Sequence, residues 1–484
     1  MRIHLNVMAT LVIGDPADPH GENSSAAWQR FKEQLKALKE IGVHAIFFDV
    51  WWGLVEKHER QYDWRYYDKL FQTIIEAGLM AVPNMSTHQC GGNIGDDAYI
   101  PLPSWIWSKL AAKVASGNVN AVKYVSEQGN ASEEVISCWA VDLVLPDYIA
   151  LFTEFQKHFA DKAQHIAEVT LSLGPAGELR FPSYNAHDKN AGFPTRGALQ
   201  CYSELARQSW ENWALANYGD REKLRIAWGE LDKIEPPVDC NAFFRDQQHI
   251  NRQYGRDLFD WYQKSLLDAG RKVMDAAIAV FNAEGAAFAA IDIGAKVPGV
   301  HWGMGHRDGQ TLIAGPRLAE LAAGVIRTSD SSGWFTEGEG HGYRPIVGLF
   351  RSLQSGHENL RIILHFTCLE KADGEDADMG AESLAATLVA WVGEEAAHQG
   401  VAIKGENALG FNLPKPKSWV MMRKALKVSV NNGRYEGLTL LRIGELTGSK
   451  VAMSKLKAMI NWVNRCTCRL DRKAAHNNGD GKAA

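Results

Sequence analysis

The side chains best placed to do chemistry in this sequence are two glutamates, each set just past an apolar run. Glu178 stands in Gly174-Pro175-Ala176-Gly177-Glu178-Leu179-Arg180-Phe181-Pro182-Ser183-Tyr184, directly after Val169-Thr170-Leu171-Ser172-Leu173. Glu406 stands in Lys404-Gly405-Glu406-Asn407-Ala408-Leu409, after Val401-Ala402-Ile403. A carboxyl at the end of a buried strand faces a cleft, where burial and neighbouring charges can tune it to give or take a proton. Glycine and proline force a sharp exit before Glu178, and Arg180 and Tyr184 supply polar groups that can orient it. A lone strand-end glutamate is more often structural, so the pair is the stronger signal.

A third block, Ser86-Thr87-His88-Gln89-Cys90-Gly91-Gly92-Asn93-Ile94-Gly95-Asp96, follows Leu79-Met80-Ala81-Val82-Pro83. Its glycines make a mobile loop that carries its own carboxylate, which is how a lid over a pocket is built. Strand ends this far apart in sequence meet only where the fold gathers many of them on one rim, as a parallel barrel does.

The elements that would position them alternate between two periods. Trp28, Phe31, Leu35 and Leu38 fall at helical spacing after Ser24-Ser25, which can cap, and Gly42 stops that helix before the short apolar run His44 to Phe48. A second helix through Leu70, Phe71, Ile74 and Ile75 ends at Gly78, before the Leu79 strand. Further strands are expected at Glu168 to Leu173, Phe288 to Ala295, Arg361 to Phe366, Gly400 to Ile403 and Leu438 to Leu441. With the run from Leu5 to Ile13 they make eight, which predicts an α/β fold, a (β/α)8 TIM barrel with long loops at the C-terminal face. The catalytic domain is expected over 1–465, and 466–484 reads as a polar, disordered tail.

The lid block and the Gly-Pro-Ala-Gly-Glu block together resemble the two signature patterns of the β-amylase family, with a bacterial rather than plant style of loop. The resemblance runs from about Met8 to about Val463. It implies exo-acting hydrolysis of α-1,4-glucosidic bonds in starch-like glucans, releasing β-maltose with inversion. It assigns Glu178 as general acid and Glu406 as general base, roughly 6.5–9.5 Å apart to admit a water. It also implies that Asp49, His88 and Asp96 bind the terminal glucose. Lys296 and His301-Trp302 would bind glucose on the reducing side, Thr367 would hold the leaving sugar, Asn407 would steady groups beside Glu406, and Arg442 would serve the non-reducing end. Glu370 and Asp373 read as loop structure.

Bacterial members often bind calcium after the second strand and before the fourth. Here Glu56 is followed by Lys57 and Arg60, and the later loop offers Asp147 with apolar Ala150. Arg60 is expected to pair with Glu56 or Asp147 in the ion's place, so no cofactor and no metal are expected. The rival readings are a non-catalytic glucan sensor that keeps the pocket, and a retaining or endo-acting barrel hydrolase.

Composition narrows the partners. The chain has 484 residues, 52 Lys and Arg against 57 Asp and Glu, and a net charge of −5. That gives no footprint for nucleic acid or an anionic membrane. No run reaches the length of a membrane span, and the N-terminal stretch lacks the order of a secretion signal, so a cytoplasmic enzyme is expected unless the sequence is already processed. The 7 cysteines are odd in number and scattered, which points to free thiols. Among them Cys90, between His88 and the glycine-rich lid, is expected to be a vulnerable thiol.

Overall fold

The computed structural model describes residues 3–92, 96–229, 233–328, 342–428 and 433–479, with side chains to residue 466. Eight parallel strands close a barrel: β1 (His4–Met8), β2 (Ala45–Trp51), β3 (Met80–Ser86), β4 (Glu168–Leu171), β5 (Asp292–Val297), β6 (Ile362–Phe366), β7 (Ala402–Glu406) and β8 (Gly437–Leu440). Each pairs with the next in chain order, and β8 returns to β1 with His4 opposite Gly437 and Val7 opposite Leu440. Around them run α1 (Glu22–Ile41), α2 (Arg65–Glu76), α3 (Val141–His158), α4 (Gln253–Phe281), α5 (Arg344–Gln354), α6 (Ala385–Gln399), α7 (Pro416–Ala425) and α8 (Lys450–Gly479). This is the (β/α)8 architecture expected from the alternating periods.

Helix α1 shows why the local reading succeeds and where it slips. Trp28, Phe31, Leu35 and Leu38 are buried on one face. Gly42, at φ 95°, ends the helix, and the Val43 amide donates to the Leu38 carbonyl at 3.1 Å, as a glycine-terminated helix requires. The start is earlier than expected, because the helix begins at Glu22 and Ser24 lies inside it. Rather than capping, Ser24 Oγ accepts from the Asp15 amide and donates to the Asp18 carbonyl, each at 2.9 Å, and so ties down the preceding loop.

Three strands are displaced from expectation, and one of them, β7, runs over Ala402–Glu406 rather than Gly400 to Ile403, so Glu406 ends the strand instead of following it. β1 ends at Met8, so the apolar residues up to Ile13 pack as loop; β5 begins at Asp292, and Phe288 is buried in a turn before it. Apolar content gave burial in both cases but not the pairing partner. The connections after β3 and β4 are long, as the spacing of the third, fourth and fifth strands implies, and the one after β4 carries helices at Glu204–Tyr218 and Arg221–Trp228. A hairpin of Gly305–Asp308 and Thr311–Ala314 follows β5. Gly338 and Gly340 lie outside the described residues. Helix α8 runs past residue 466 without a break, and Cys466 is buried. No helix among the described residues is long and apolar enough to cross a membrane.

Strand alternation sorts side chains between two layers. On β2, Ile46, Phe48 and Val50 join the main core shared with the helices, whereas Ala45 and Phe47 form a separate cluster with Met8 and Val82 inside the barrel. Asp49 shares their parity, and so do Asn84 and Ser86 on β3 by register. Lys296, His365 and Lys404 lie opposite one another on β5, β6 and β7. The barrel interior is therefore largely polar. Near its floor Glu168 accepts from His365 Nε2 at 2.5 Å and from Lys404 Nζ. Gly294 makes room for this cluster, since a Cβ there would stand 2.2 Å from Glu168 Oε1.

Candidate active site

At the C-terminal rim one cavity collects Asp49, His88, Asp96, Glu178, Lys296, Thr367, Glu406, Asn407 and Arg442. These come from seven barrel strands, β2 to β8, and their following loops, so nothing short of closure brings them together. Of the residues expected to bind glucose, His301 and its neighbour Trp302 are the exceptions, and the Trp302 indole instead donates to the Thr195 carbonyl at 2.8 Å. His301 is fixed otherwise. It sits in the loop after β5 with Nδ1 2.8 Å from Ser383 Oγ, buried and kept neutral because burial pushes its imidazole down to about 3.

The Glu178 turn is built by close backbone approach. After β4 the chain makes one tight turn over Pro175–Gly177, and a Cβ on Gly174 would stand 2.3 Å from the Glu178 carbonyl, so only glycine lets the loop fold back. Glu178 then resumes an extended course beside Lys296, and the Leu179 amide donates to the Lys296 carbonyl at 2.9 Å. Arg180 Nε donates to Glu178 Oε2 at 2.8 Å. Burial raises the Glu178 carboxyl above the ordinary carboxylate range; Arg180 opposes this, and the charge of Glu406 adds to it.

Glu406 closes β7 and is 3% exposed. Lys296 Nζ is 3.2 Å from its Oε2, yet that oxygen accepts no hydrogen bond among the described residues. A buried carboxylate oxygen with a countercharge and no donor is poised to accept one from water. The backbone behind it is fixed by a residue expected to be structural. Glu370 accepts from the Ala408 and Leu409 amides at 2.9 and 3.0 Å and from Asn412 Nδ2 at 3.2 Å. Asp373 likewise binds the Thr387 amide and hydroxyl.

The opposite wall is arranged for hydroxyl recognition. Asp49 lies within β2 rather than after it, and its Oδ1 accepts from Asn84 Nδ2 at 2.8 Å and Ser86 Oγ at 2.7 Å. His88 Nδ1 lies 2.7 Å from Ser172 Oγ, with its ring edge-on to Trp51; burial pushes it down to about 4, so it stays neutral. Arg442 reaches Asp96 Oδ1 at 3.4 Å, which links the lid segment to the end of β8. Lid residues Asn93, Ile94 and Gly95 lie outside the described residues. Asn407 differs from expectation in what it holds. Its Oδ1 accepts from the Leu441 amide at 2.8 Å and its Nδ2 donates to the Leu441 carbonyl at 3.3 Å, so it fastens β7 to the β8 tip that carries Arg442. Thr367 Oγ1 accepts from the Gly299 amide at 2.7 Å, joining the loops after β5 and β6.

Cys90 reverses an expectation. It lines the cavity but is 1% exposed, and burial pushes its thiol up to about 12, which leaves almost no thiolate to react. Arg180 orients Glu178 as expected, whereas Asn84, Ser172 and Glu134 also support the site and were not singled out in the sequence. For Asn84 and Ser172 the signal was the polar alternation inside otherwise apolar strands.

The residues in the calcium-binding position do not fit a hard cation. Arg60 Nη2 donates to Asp147 Oδ1 at 2.9 Å, and Lys109 Nζ lies 2.7 Å from the same oxygen. Glu56 accepts from the Arg60 amide and from Trp52 Nε1. Two cations thus occupy the space between the acids, and no group of three or more potential ligands is assembled among the described residues.

Comparison with known proteins gives the family and matches the fold. Residues 22–464 match the model of glycosyl hydrolase family 14. The chain is 35% identical over 436 residues to a β-amylase of Cytobacillus firmus, covering 87% of this chain and 80% of that one. It is 31% identical to the β-amylase of Glycine max, covering 86% and 78%. The catalytic domain of a β-amylase from Paenibacillus polymyxa superposes with a TM-score of 0.75 at 32% identity, over 96% of this chain and 99% of that one. The chain belongs to glycosyl hydrolase family 14, the β-amylases, and is a glycoside hydrolase.

Proposed function

We propose that the chain hydrolyses α-1,4-glucosidic bonds of starch-like glucans from their non-reducing ends, releasing β-maltose with inversion and without a cofactor. The observation that carries this is the pair of carboxyls on one cavity, Glu178 held above the ordinary carboxylate range and buried Glu406 with an open oxygen beside Lys296.

Glycosidic cleavage needs a proton on the leaving oxygen while positive charge builds at the anomeric carbon. Glu178 supplies that proton, because burial keeps it protonated where a free carboxylate has lost its own. Glu406 takes a proton from the water that attacks the opposite face, and its free oxygen is the acceptor. Lys296, 3.2 Å from that oxygen, is the countercharge beside the base. Asp49, neutral His88 and the Asp96–Arg442 pair bind hydroxyls of the terminal sugars and close the far end, which confines cleavage to a disaccharide step.

The test is proton NMR of the first sugar released from a maltooligosaccharide. β-Maltose is expected before mutarotation sets in. Early α-anomer or long internal fragments would show a retaining or endo enzyme instead.

A further inference from the structure

The general acid carries a difficulty of its own. A guanidinium 2.8 Å from a carboxyl favours the ionised form, whereas an acid must keep its proton until the leaving oxygen arrives. Arg180 is 1% exposed, so solvent does not dilute its charge. What else Arg180 touches therefore matters.

Its Nη1 donates to Asn185 Oδ1 at 2.8 Å and to the Phe181 carbonyl at 3.2 Å. Asn185 in turn donates through Nδ2 to Glu134 Oε2. Glu134 is 7% exposed, and its other oxygen, Oε1, accepts nothing among the described side chains. Burial raises the Glu134 carboxyl, and the nearby Arg180 charge, with the Asn185 amide, opposes that rise and favours the carboxylate. Glu134 also anchors the lid stem, but through its backbone: its carbonyl accepts from the Gln89 amide at 2.7 Å. The side chain is not needed for that bond.

We propose that Glu134 is a positioning residue for the acid: through Asn185 and Arg180, its carboxylate supplies the extra negative charge that makes a protonated Glu178 the balanced state of the site. The proposal rests on the assignment of Glu178 as the proton donor. The count supports it. Two buried carboxyls, Glu134 and Glu406, and half-buried Glu178 share two cations, Arg180 and Lys296, so charge balances when one carboxyl holds a proton. Remove Glu134's charge and balance no longer calls for that proton.

The other charged groups around these do not change the direction. His187, which faces Glu134, has its own partner in Asp188, 3.1 Å away. Asp96 is matched by Arg442. Asp49, across the cavity on β2, adds negative charge and acts in the same sense as Glu134. Tyr184, whose ring lies 4.1 Å from the Arg180 guanidinium, is held neutral by burial. The thiol of Cys368 is neutral for the same reason.

The experiment is the pH profile of kcat/KM for a maltooligosaccharide with wild type and Glu134→Gln. The alkaline limb reports loss of the acid's proton, so removing a negative charge moves it to lower pH, by about one unit. KM is expected to stay within about twofold, because Glu134 lines no part of the cavity wall. The double variant Glu134→Gln with Asn185→Asp returns a carboxylate beside Arg180 and should restore the limb. A purely structural role would lower activity evenly across pH and would not be rescued by moving the charge. If Glu134→Gln folds poorly, Asn185→Asp alone serves, since an added charge should move the limb upward. Carbon-13 titration of the Glu178 carboxyl, assigned by its loss in Glu178→Gln, gives the same answer without turnover. An unmoved limb and an unmoved titration in a folded, active enzyme would overturn the proposal. A wild type that hydrolyses no glucan would overturn the assignment of the acid and leave the carbon-13 titration as the measure of the charge effect.

Discussion

Buried Glu168 opens β4 and half-buried Glu178 follows its end, and both stand next to cations, yet the barrel drives them in opposite directions. Burial raises both. For Glu168 it is overcome: Lys404 and His365 occupy both carboxylate oxygens and bring the group down to about 2. For Glu178 a single Arg180 holds one oxygen, Glu406 works against it, and the carboxyl stays raised. Burial thus sets how strongly neighbours are felt, and the number and placement of cations decide the sign. The floor residue is built as a permanent ion and the rim residue as a proton donor.

The sharpest break of this contrast is in rate. Glu178→Gln and Glu406→Gln should each lower kcat by about 10² to 10⁴ while a maltooligosaccharide still binds, as read by steady-state kinetics and calorimetry. Near-wild-type turnover in either would remove that residue from the chemistry. Glu168→Gln should instead act on stability. It strands Lys404 inside the barrel, at a cost of about 3–5 kcal/mol in urea unfolding, whereas Glu178→Gln should cost under about 1 kcal/mol. Equal losses would mean that the two glutamates are not differently built.

The pH dependence separates them further. A carboxyl whose folded value is depressed contributes stability above its unfolded value and loses it as pH falls. Glu168 stabilisation should therefore be complete above about 4.5 and drain away toward about 2, and Glu168→Gln should flatten that acid-side slope. Glu178 acts in its protonated form, so kcat/KM should hold past the ordinary carboxylate range and fall only as pH rises through its raised value. A limb at or below the ordinary value would show that burial does not prevail over Arg180.

Smaller effects are expected where charge is already matched. Excess chelator and millimolar calcium should leave the thermal midpoint unchanged, because Arg60 and Lys109 already compensate Asp147. A difference of several degrees would show a calcium site. Alkylation by iodoacetamide at neutral pH should leave activity largely intact, since Cys90 is buried and its thiol is held protonated. Rapid inactivation in wild type that Cys90→Ser prevents would return it to the reactive class.

What the sequence determined by itself was local and periodic. Strand and helix alternation, the Gly42 stop and the Gly174 turn depend on neighbours within a few residues, so the eight strands and the exit before Glu178 could be read directly. The two glutamates were legible for the same reason, because each follows its own apolar run. The tertiary structure decided what depends on closure. It decided that Asp49 lies within a strand facing inward, that Asn407 fastens the β8 tip, and that His301 stays off the cavity wall. It also decided that Glu168 meets His365 and Lys404 from strands far along the chain. Those partners share no sequence period. They become neighbours only when β8 pairs with β1, and the charge each carries is set by a buried environment that no single segment contains.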